Sequence, residues 1–227
     1  AYIVGHRRKL FCQLTLPSSP VCPQPDLPYP NWWSTTPLAG APTFVDPIED
    51  ELSCLNLNIT VPLSCLDGCS DPFASLPVLV FVHGGGLACG SSSMLVGGRQ
   101  LFDATNLVRA SLGLGRAIVC VTINYRVGTL GFLASSELKR LNESFSEPYG
   151  NYGFHDQRRA LEWIQRYIPG FGGAADSVTI HGTSAGAVSC HYLTKFAGRN
   201  FQRAILSSGT VETLAPRPTT YHQETFN

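Results

Sequence analysis

The chain has 227 residues, with 16 basic and 16 acidic side chains and a formal net charge of zero. Hydrophobic residues make up 44% and aromatics 10%, enough apolar mass for a packed core, which excludes a disordered chain. The balanced charge excludes a phosphate-reading surface, because nucleic-acid binding needs a basic excess that the short run Arg7-Arg8-Lys9 does not supply.

Residues 1–50 are rich in Pro, Ser and Thr and show little periodicity, so they read mainly as loop. There is no initiator Met and no charged-then-apolar leader at residue 1, which reads as a mature or truncated start. Leu55, Leu57, Ile59 and Val61 alternate with Asn56, Asn58 and Thr60, the period of a strand with one buried face. Residues 63–75 form a turn-rich excursion. The run 78–82 is continuously apolar, as in a strand covered on both faces. It is far shorter than the roughly 18 residues a membrane-crossing helix needs. A helix is expected over 98–111, a second buried strand over 117–123, and an amphipathic helix over 155–168 with Leu161, Ile164 and Ile168 on one side. A third strand follows at 178–181, then a helix carrying Val188, Tyr192 and Leu193, then a fourth strand at 204–206. Apolar strands alternating with helices predict an α/β domain with a mostly parallel sheet and helices on both faces. The 227 residues read as part of one such domain, with the strand–helix core over 51–227.

Eight cysteines stand at 12, 22, 54, 65, 69, 89, 120 and 190. Asn58-Ile59-Thr60 and Asn142-Glu143-Ser144 fit the acceptor triplet for N-glycosylation. Together these point to an oxidising, extracellular compartment. No cysteine pair has zinc-ligand spacing, and no metal or cofactor motif is found. Cys120, inside a buried strand pattern, reads as a free core thiol. Trp32, Trp33 and Trp163 read as packing residues.

Two motifs carry chemistry. Gly182-Thr183-Ser184-Ala185-Gly186 fits G-x-S-x-G between a strand and a helix. That spacing puts a serine hydroxyl on a sharp turn at the carboxyl end of a sheet, with a helix N-terminus aimed at a developing oxyanion. About a hundred residues upstream, His83-Gly84-Gly85-Gly86 follows another strand. Consecutive glycines present unobstructed N–H groups to such an oxyanion. The two together mark esterases and lipases of the α/β-hydrolase fold.

Further blocks make the likeness specific. Cys54-Leu55-Asn56-Leu57-Asn58-Ile59 with Pro62, Asn124-Tyr125-Arg126-Val127-Gly128-Thr129-Leu130-Gly131-Phe132, Asn151-Tyr152-Gly153-Phe154-His155-Asp156-Gln157-Arg158, Phe171-Gly172-Gly173 and Ser184-Ala185-Gly186-Ala187 resemble the signatures of the type-B carboxylesterases and cholinesterase-like lipases. The resemblance runs over most of the chain from Cys22 onwards. It implies an α/β-hydrolase fold, incomplete here at both ends, and hydrolysis of a small carboxylic ester or lipid through an acyl-enzyme on Ser184. It also implies an oxyanion hole from the N–H groups of Gly85, Gly86 and Ala185, a disulfide between Cys22 (in Cys22-Pro23-Gln24) and Cys54, and secretion. The chain departs from the family at Thr183, where Glu is usual, at Leu52-Ser53, where Glu-Asp is usual, and at Leu87, where an aromatic is usual.

The acid and histidine of a triad follow the serine in this fold. His191 falls on the helix after Ser184, about 10 Å down its axis at 1.5 Å per residue. Glu212 and His222 are ten residues apart, too close for the strands that normally separate these roles. His155 and His181 read as structural, and His83 as a shaper of the glycine loop. The triad partners are therefore expected downstream of this chain, and the 227 residues alone are expected to be nearly inactive. The alternatives are a non-catalytic adhesion or binding relative, or an inactive truncated product.

Overall fold

A computed structural model describes residues 11–14, 19–24, 48–65, 75–96, 99–145 and 148–223. Strands β1 (Phe11–Leu14), β2 (Leu57–Pro62) and β3 (Leu76–Val82) precede a two-strand hairpin, β4 (Leu95–Val96) and β5 (Arg99–Gln100). Helix α1 (Thr105–Gly113) and strand β6 (Val119–Ile123) follow, then helices α2 (Gly128–Phe132), α3 (Ser136–Ser144) and α4 (Tyr152–Tyr167). Strand β7 (Gly173–Thr183), helix α5 (Ala185–Phe196) and strand β8 (Arg203–Ser207) complete the order.

The main sheet has the order β1-β2-β6-β3-β7-β8. Strands β6, β3, β7 and β8 pair in parallel, while β1 and β2 join antiparallel at one edge. On one face Val78, Val80, Val82, Val119, Val121, Ile123, Val178 and Ile180 meet Leu161 and Ile164 of α4 and Cys190 and Leu193 of α5. On the other, Val108 of α1 packs on Cys120, Leu79 and Ile118. Helices thus lie on both faces, as the alternating pattern predicts. Cys120 is a buried free thiol, again as read, and burial pushes it up to about 12. Trp163 packs between Tyr167 and Phe171; Trp32 and Trp33 lie outside the described residues.

The structure departs from the sequence reading in four places. A strand, β1, lies within the region read mainly as loop. The helix expected over 98–111 starts only at Thr105, because Arg99 and Gln100 pair with β4. The second face of β3 is only part-covered, since Leu79 and Phe81 are half-buried while Val78, Val80 and Val82 are buried. Strand β2 is buried on both faces, including Asn58 and Thr60. The Asn58 amide donates to the hydroxyls of Ser92 (3.4 Å), Ser93 (3.3 Å) and Thr122 (3.1 Å). Asn58, the asparagine of the first acceptor triplet, is thus buried with its side-chain nitrogen hydrogen-bonded inside the fold. Asn142 stands on α3, half-buried, with its amide donating to the Pro148 carbonyl at 2.6 Å and the Tyr152 hydroxyl at 2.8 Å.

Cys22 and Cys54 form the expected disulfide, with Cα atoms 4.7 Å apart. On the loop-entropy account, closing that loop stabilises the chain by about 3–4 kcal/mol. The bonded segments also meet as backbone, with the Val21 N–H donating to the Ile48 carbonyl and the Asp50 N–H to the Val21 carbonyl. Cys69 and the side chain of Cys12 lie outside the described residues.

Candidate active site

Ser184 sits between β7 and α5 with φ 58° and ψ −125°, a backbone region that a non-glycine residue occupies only under strain. The turn is tight because β7 and α5 nearly touch: a Cβ on Gly182 would overlap the Gly186 carbonyl, and one on Gly186 would overlap the Val82 carbonyl. Three bonds hold the turn from below and ahead. The Ser184 N–H donates to the Ser207 carbonyl of β8 at 2.9 Å, and the Ser184 carbonyl accepts from Ala187 and Val188 as α5 begins. The result is a seryl side chain exposed at the carboxyl end of the parallel strands, above the positive end of a twelve-residue helix.

The glycine loop reaches the same place. It leaves the end of β3, which neighbours β7 in the sheet. A Cβ on Gly84 would lie 3.3 Å from Ser184 Cβ and 2.7 Å from the Thr183 carbonyl oxygen. Gly85 (φ 117°) and Gly86 (φ 64°) then turn the chain through left-handed backbone that glycine adopts without strain. The Ala88 and Cys89 N–H groups close this turn on the Gly85 carbonyl at 3.0 and 3.1 Å. Among the described residues nothing accepts from the N–H of Gly85, Gly86 or Ala185. Ser184 and Ala185 thereby stand beside Gly84, the residue that leads into Gly85 and Gly86.

His83 holds the loop from inside. It is buried, stacked on Tyr125 with ring centroids 4.2 Å apart. Burial pushes it down to about 4, so it is neutral at working pH. Its Nδ1 lies 2.9 Å from the Gly84 carbonyl oxygen, which fixes the proton on Nδ1 and leaves Nε2 bare. His83 therefore shapes the loop, as its sequence context suggests. Arg126 and Asp156 tie the 124–132 segment to α4 through a two-pronged ion pair of 2.7 and 2.8 Å, and Asp156 also accepts from the Arg126 N–H.

Among the described residues no histidine hydrogen-bonds to Ser184. His191 accepts from the Val211 N–H through Nδ1 at 3.3 Å. His181 pairs its Nε2 with the Ser207 hydroxyl at 3.2 Å, and burial lowers its pKa. His155 is half-buried on α4, with its pKa lowered first by burial and then by Arg158. Glu212 is exposed in a turn, and the His222 side chain lies outside the described residues. Among the described residues no side chain hydrogen-bonds to the Ser184 hydroxyl, and no group of three or more His, Cys, Asp or Glu is placed to hold a metal ion. No described helix is long and apolar enough to cross a membrane. An apolar groove lined by Leu79, Phe81, Phe102, Leu107 and His181 runs beside α1 on the sheet face away from α4, and includes neither Ser184 nor the glycine loop.

Three supports of the site carry no chemical motif of their own. They are the Ser207 carbonyl, the Tyr125 hydroxyl, and Gln24, whose amide faces Gly90 at the end of the glycine loop. Tyr125 and Gln24 fall inside blocks that resemble the family, but their bonds are visible only in three dimensions.

A family model described as the carboxylesterase family matches residues 15–223. The chain belongs to the carboxylesterase family. Lipase 3 of Yarrowia lipolytica is 36% identical over 207 residues, which are 89% of this chain and 37% of that lipase. Lipase 4 of Diutina rugosa is 35% identical over 206 residues, 85% of this chain and 34% of that lipase. Among solved structures, juvenile hormone esterase of Manduca sexta with OTFP covalently attached aligns at a TM-score of 0.59 and 36% identity, over 84% of this chain and 30% of that one. A structure named PNB esterase aligns at 0.60 and 33% identity, over 84% of this chain and 32% of that one. The fold is that of the α/β-hydrolases. The chain spans about a third of the length of these relatives.

Proposed function

We propose that this carboxylesterase-family chain carries the nucleophile and oxyanion hole of a serine carboxylic-ester hydrolase. The carrying observation is the meeting of the strained Ser184 turn with Gly84, whose Cβ position lies 3.3 Å from Ser184 Cβ. Ser184 Oγ attacks the ester carbonyl and loses its proton to a general base. The carbonyl oxygen becomes an oxyanion, and the N–H groups of Gly85, Gly86 and Ala185 stabilise it. Collapse of the intermediate expels the alcohol, which takes the proton, and leaves an acyl-serine. Water then attacks that ester and releases the carboxylic acid. The general base and its acid partner are proposed to come from chain beyond these residues. In support, no described histidine reaches Ser184, and the matched relatives are about three times as long. The substrate class is a carboxylic ester or lipid, in line with the names of the matched lipases and esterases. The Cys22–Cys54 disulfide supports a secreted protein.

The test is labelling with a fluorophosphonate and turnover of a nitrophenyl ester. The native protein carrying this sequence is expected to react at Ser184 and to turn over, and its Ser184→Ala variant to do neither. The 227-residue chain alone is expected to be nearly inert. Equal turnover by the Ser184→Ala protein would refute the reading.

A further inference from the structure

Gln24 and the disulfide beside it grip the far end of the oxyanion loop. The Gln24 side-chain oxygen accepts from the Gly90 N–H at 2.7 Å. Its side-chain nitrogen faces the Gly90 carbonyl at 3.5 Å and donates to the Cys22 carbonyl at 3.2 Å. One amide thus reads both backbone groups of a single residue, 66 positions away in the chain. That residue leans on the start of the loop. A Cβ at Gly90 would lie 2.5 Å from the Gly84 carbonyl oxygen and 2.7 Å from His83 Nδ1. Gly90 is therefore wedged under the two residues that lead into Gly85 and Gly86.

A second amide continues the grip along the same segment. Asn124 accepts from the Ser92 N–H at 2.7 Å and the Ser91 hydroxyl at 3.2 Å. It donates to the carbonyls of Cys54 (3.1 Å) and Pro20 (3.4 Å). Gly90, Ser91 and Ser92 are all tied to the segments on either side of Cys22–Cys54, which is itself closed covalently. Gln24 is held in turn, since its own N–H donates to the Glu49 carboxylate at 3.3 Å.

We infer that Gln24 is a positioning residue for the oxyanion hole, acting from the disulfide-closed strap through Gly90 on the Gly84–Gly85–Gly86 turn; this rests on the ester-hydrolase reading for its catalytic consequence. An oxyanion donor stabilises the transition state only if it is already in place when charge develops. A loose loop forms the hole part of the time, which lowers kcat and leaves ground-state binding of the ester nearly untouched.

The experiment compares wild type, Gln24→Leu and Gln24→Glu in the native protein carrying this sequence, with p-nitrophenyl butyrate as substrate and hydrogen exchange as a second readout. Gln24→Leu is expected to lower kcat about tenfold or more, short of the roughly 100-fold to 1,000-fold typical of losing an oxyanion donor outright, with KM within about twofold. Gln24→Glu keeps the acceptor for the Gly90 N–H but loses the donor to the Cys22 carbonyl, and is expected to recover only part of the loss. Exchange over residues 84–90 is expected to quicken in Gln24→Leu while β3 and β6 keep their protection. Unchanged exchange over 84–90, or equal loosening of β3 and β6, overturns the inference. Turnover and exchange both at the wild-type level in Gln24→Leu do the same while leaving the hydrolase reading intact. If the wild-type protein neither turns over nor labels at Ser184, the hydrolase reading falls, and the exchange result alone then supports or overturns the loop-positioning role.

Discussion

The Tyr125 hydroxyl donates to the His83 carbonyl at 2.8 Å while the two rings stack 13° from parallel. One side chain thereby fixes both the backbone and the ring of the residue that opens the glycine loop. Both groups are buried, so removing the donor leaves a carbonyl with no water to replace it. Tyr125→Phe keeps the stack and loses only that bond. The expected cost is about 1–3 kcal/mol, read as a lower urea midpoint with unchanged slope. A midpoint equal to wild type would show that the carbonyl finds another partner.

His83 also makes stability depend on pH. Burial holds the folded imidazole at about 4, against an ordinary 6.5. As pH falls below 6.5 the unfolded chain takes up a proton that the folded chain refuses, so stability present above 6.5 drains away as pH falls towards 4. Below that value both states are charged and the loss stops. Urea midpoints of wild type should decline across this window more steeply than those of His83→Gln, in which the group is absent. Because His155 and His181 are also lowered, the difference between the two slopes is the measurement. Parallel slopes would remove His83 as the cause.

The ion pair between Arg126 and Asp156 should respond unequally to losing each partner. The Asp156 side chain is only 7% exposed and the Arg126 side chain 32%. Arg126→Ala strands a buried carboxylate, at a cost of about 3–5 kcal/mol. Asp156→Asn leaves a guanidinium that reaches water and an amide oxygen that still accepts from the Arg126 N–H, at a cost of about 1–2 kcal/mol. Thermal midpoints of the two variants check the order, and equal losses would contradict it.

Much of this was legible in the sequence because it rests on local pattern. Consecutive glycines, a serine between two glycines and runs such as 117–123 each announce an element from their own residues. The double burial of β2 was not legible, because the alternation of Asn58 and Thr60 with Ile59 and Val61 says which side chains share a face and nothing about what covers it. Ser92, Ser93 and Thr122 cover Asn58 from positions 34, 35 and 64 residues away. The late start of α1 was hidden for a similar reason. The apolar spacing over 98–111 suits a helix, but Arg99 and Gln100 gain a strand partner at Leu95 and Val96. The grip of Gln24 on Gly90 is likewise a long-range contact with no signature at either end.

Gly84 and Gly86 separate two ways of damaging the same loop. A methyl group at Gly84 would meet the Thr183 carbonyl oxygen at 2.7 Å and Ser184 Cβ at 3.3 Å. Both belong to the elbow, and the elbow is held by Ser207 and the first turn of α5. The loop must therefore back away, taking the Gly85 and Gly86 N–H groups out of place. On the proposed reading these N–H groups are oxyanion donors, and loss of one such donor typically costs about 100-fold to 1,000-fold in kcat. At Gly86 a Cβ meets nothing within 4 Å, but the backbone is left-handed at φ 64°. Gly86→Ala adds only a conformational cost of about 1–2 kcal/mol, and the site around it stays open. Gly84→Ala is thus expected to lose most nitrophenyl-ester turnover, with about 1–3 kcal/mol of stability lost to the forced shift. Gly86→Ala should lose no more stability than its conformational cost and keep a larger share of its turnover. Steady-state kinetics paired with thermal melts on the native protein decide it, and the reverse ranking would mean that the glycine loop does not rest on the Ser184 turn.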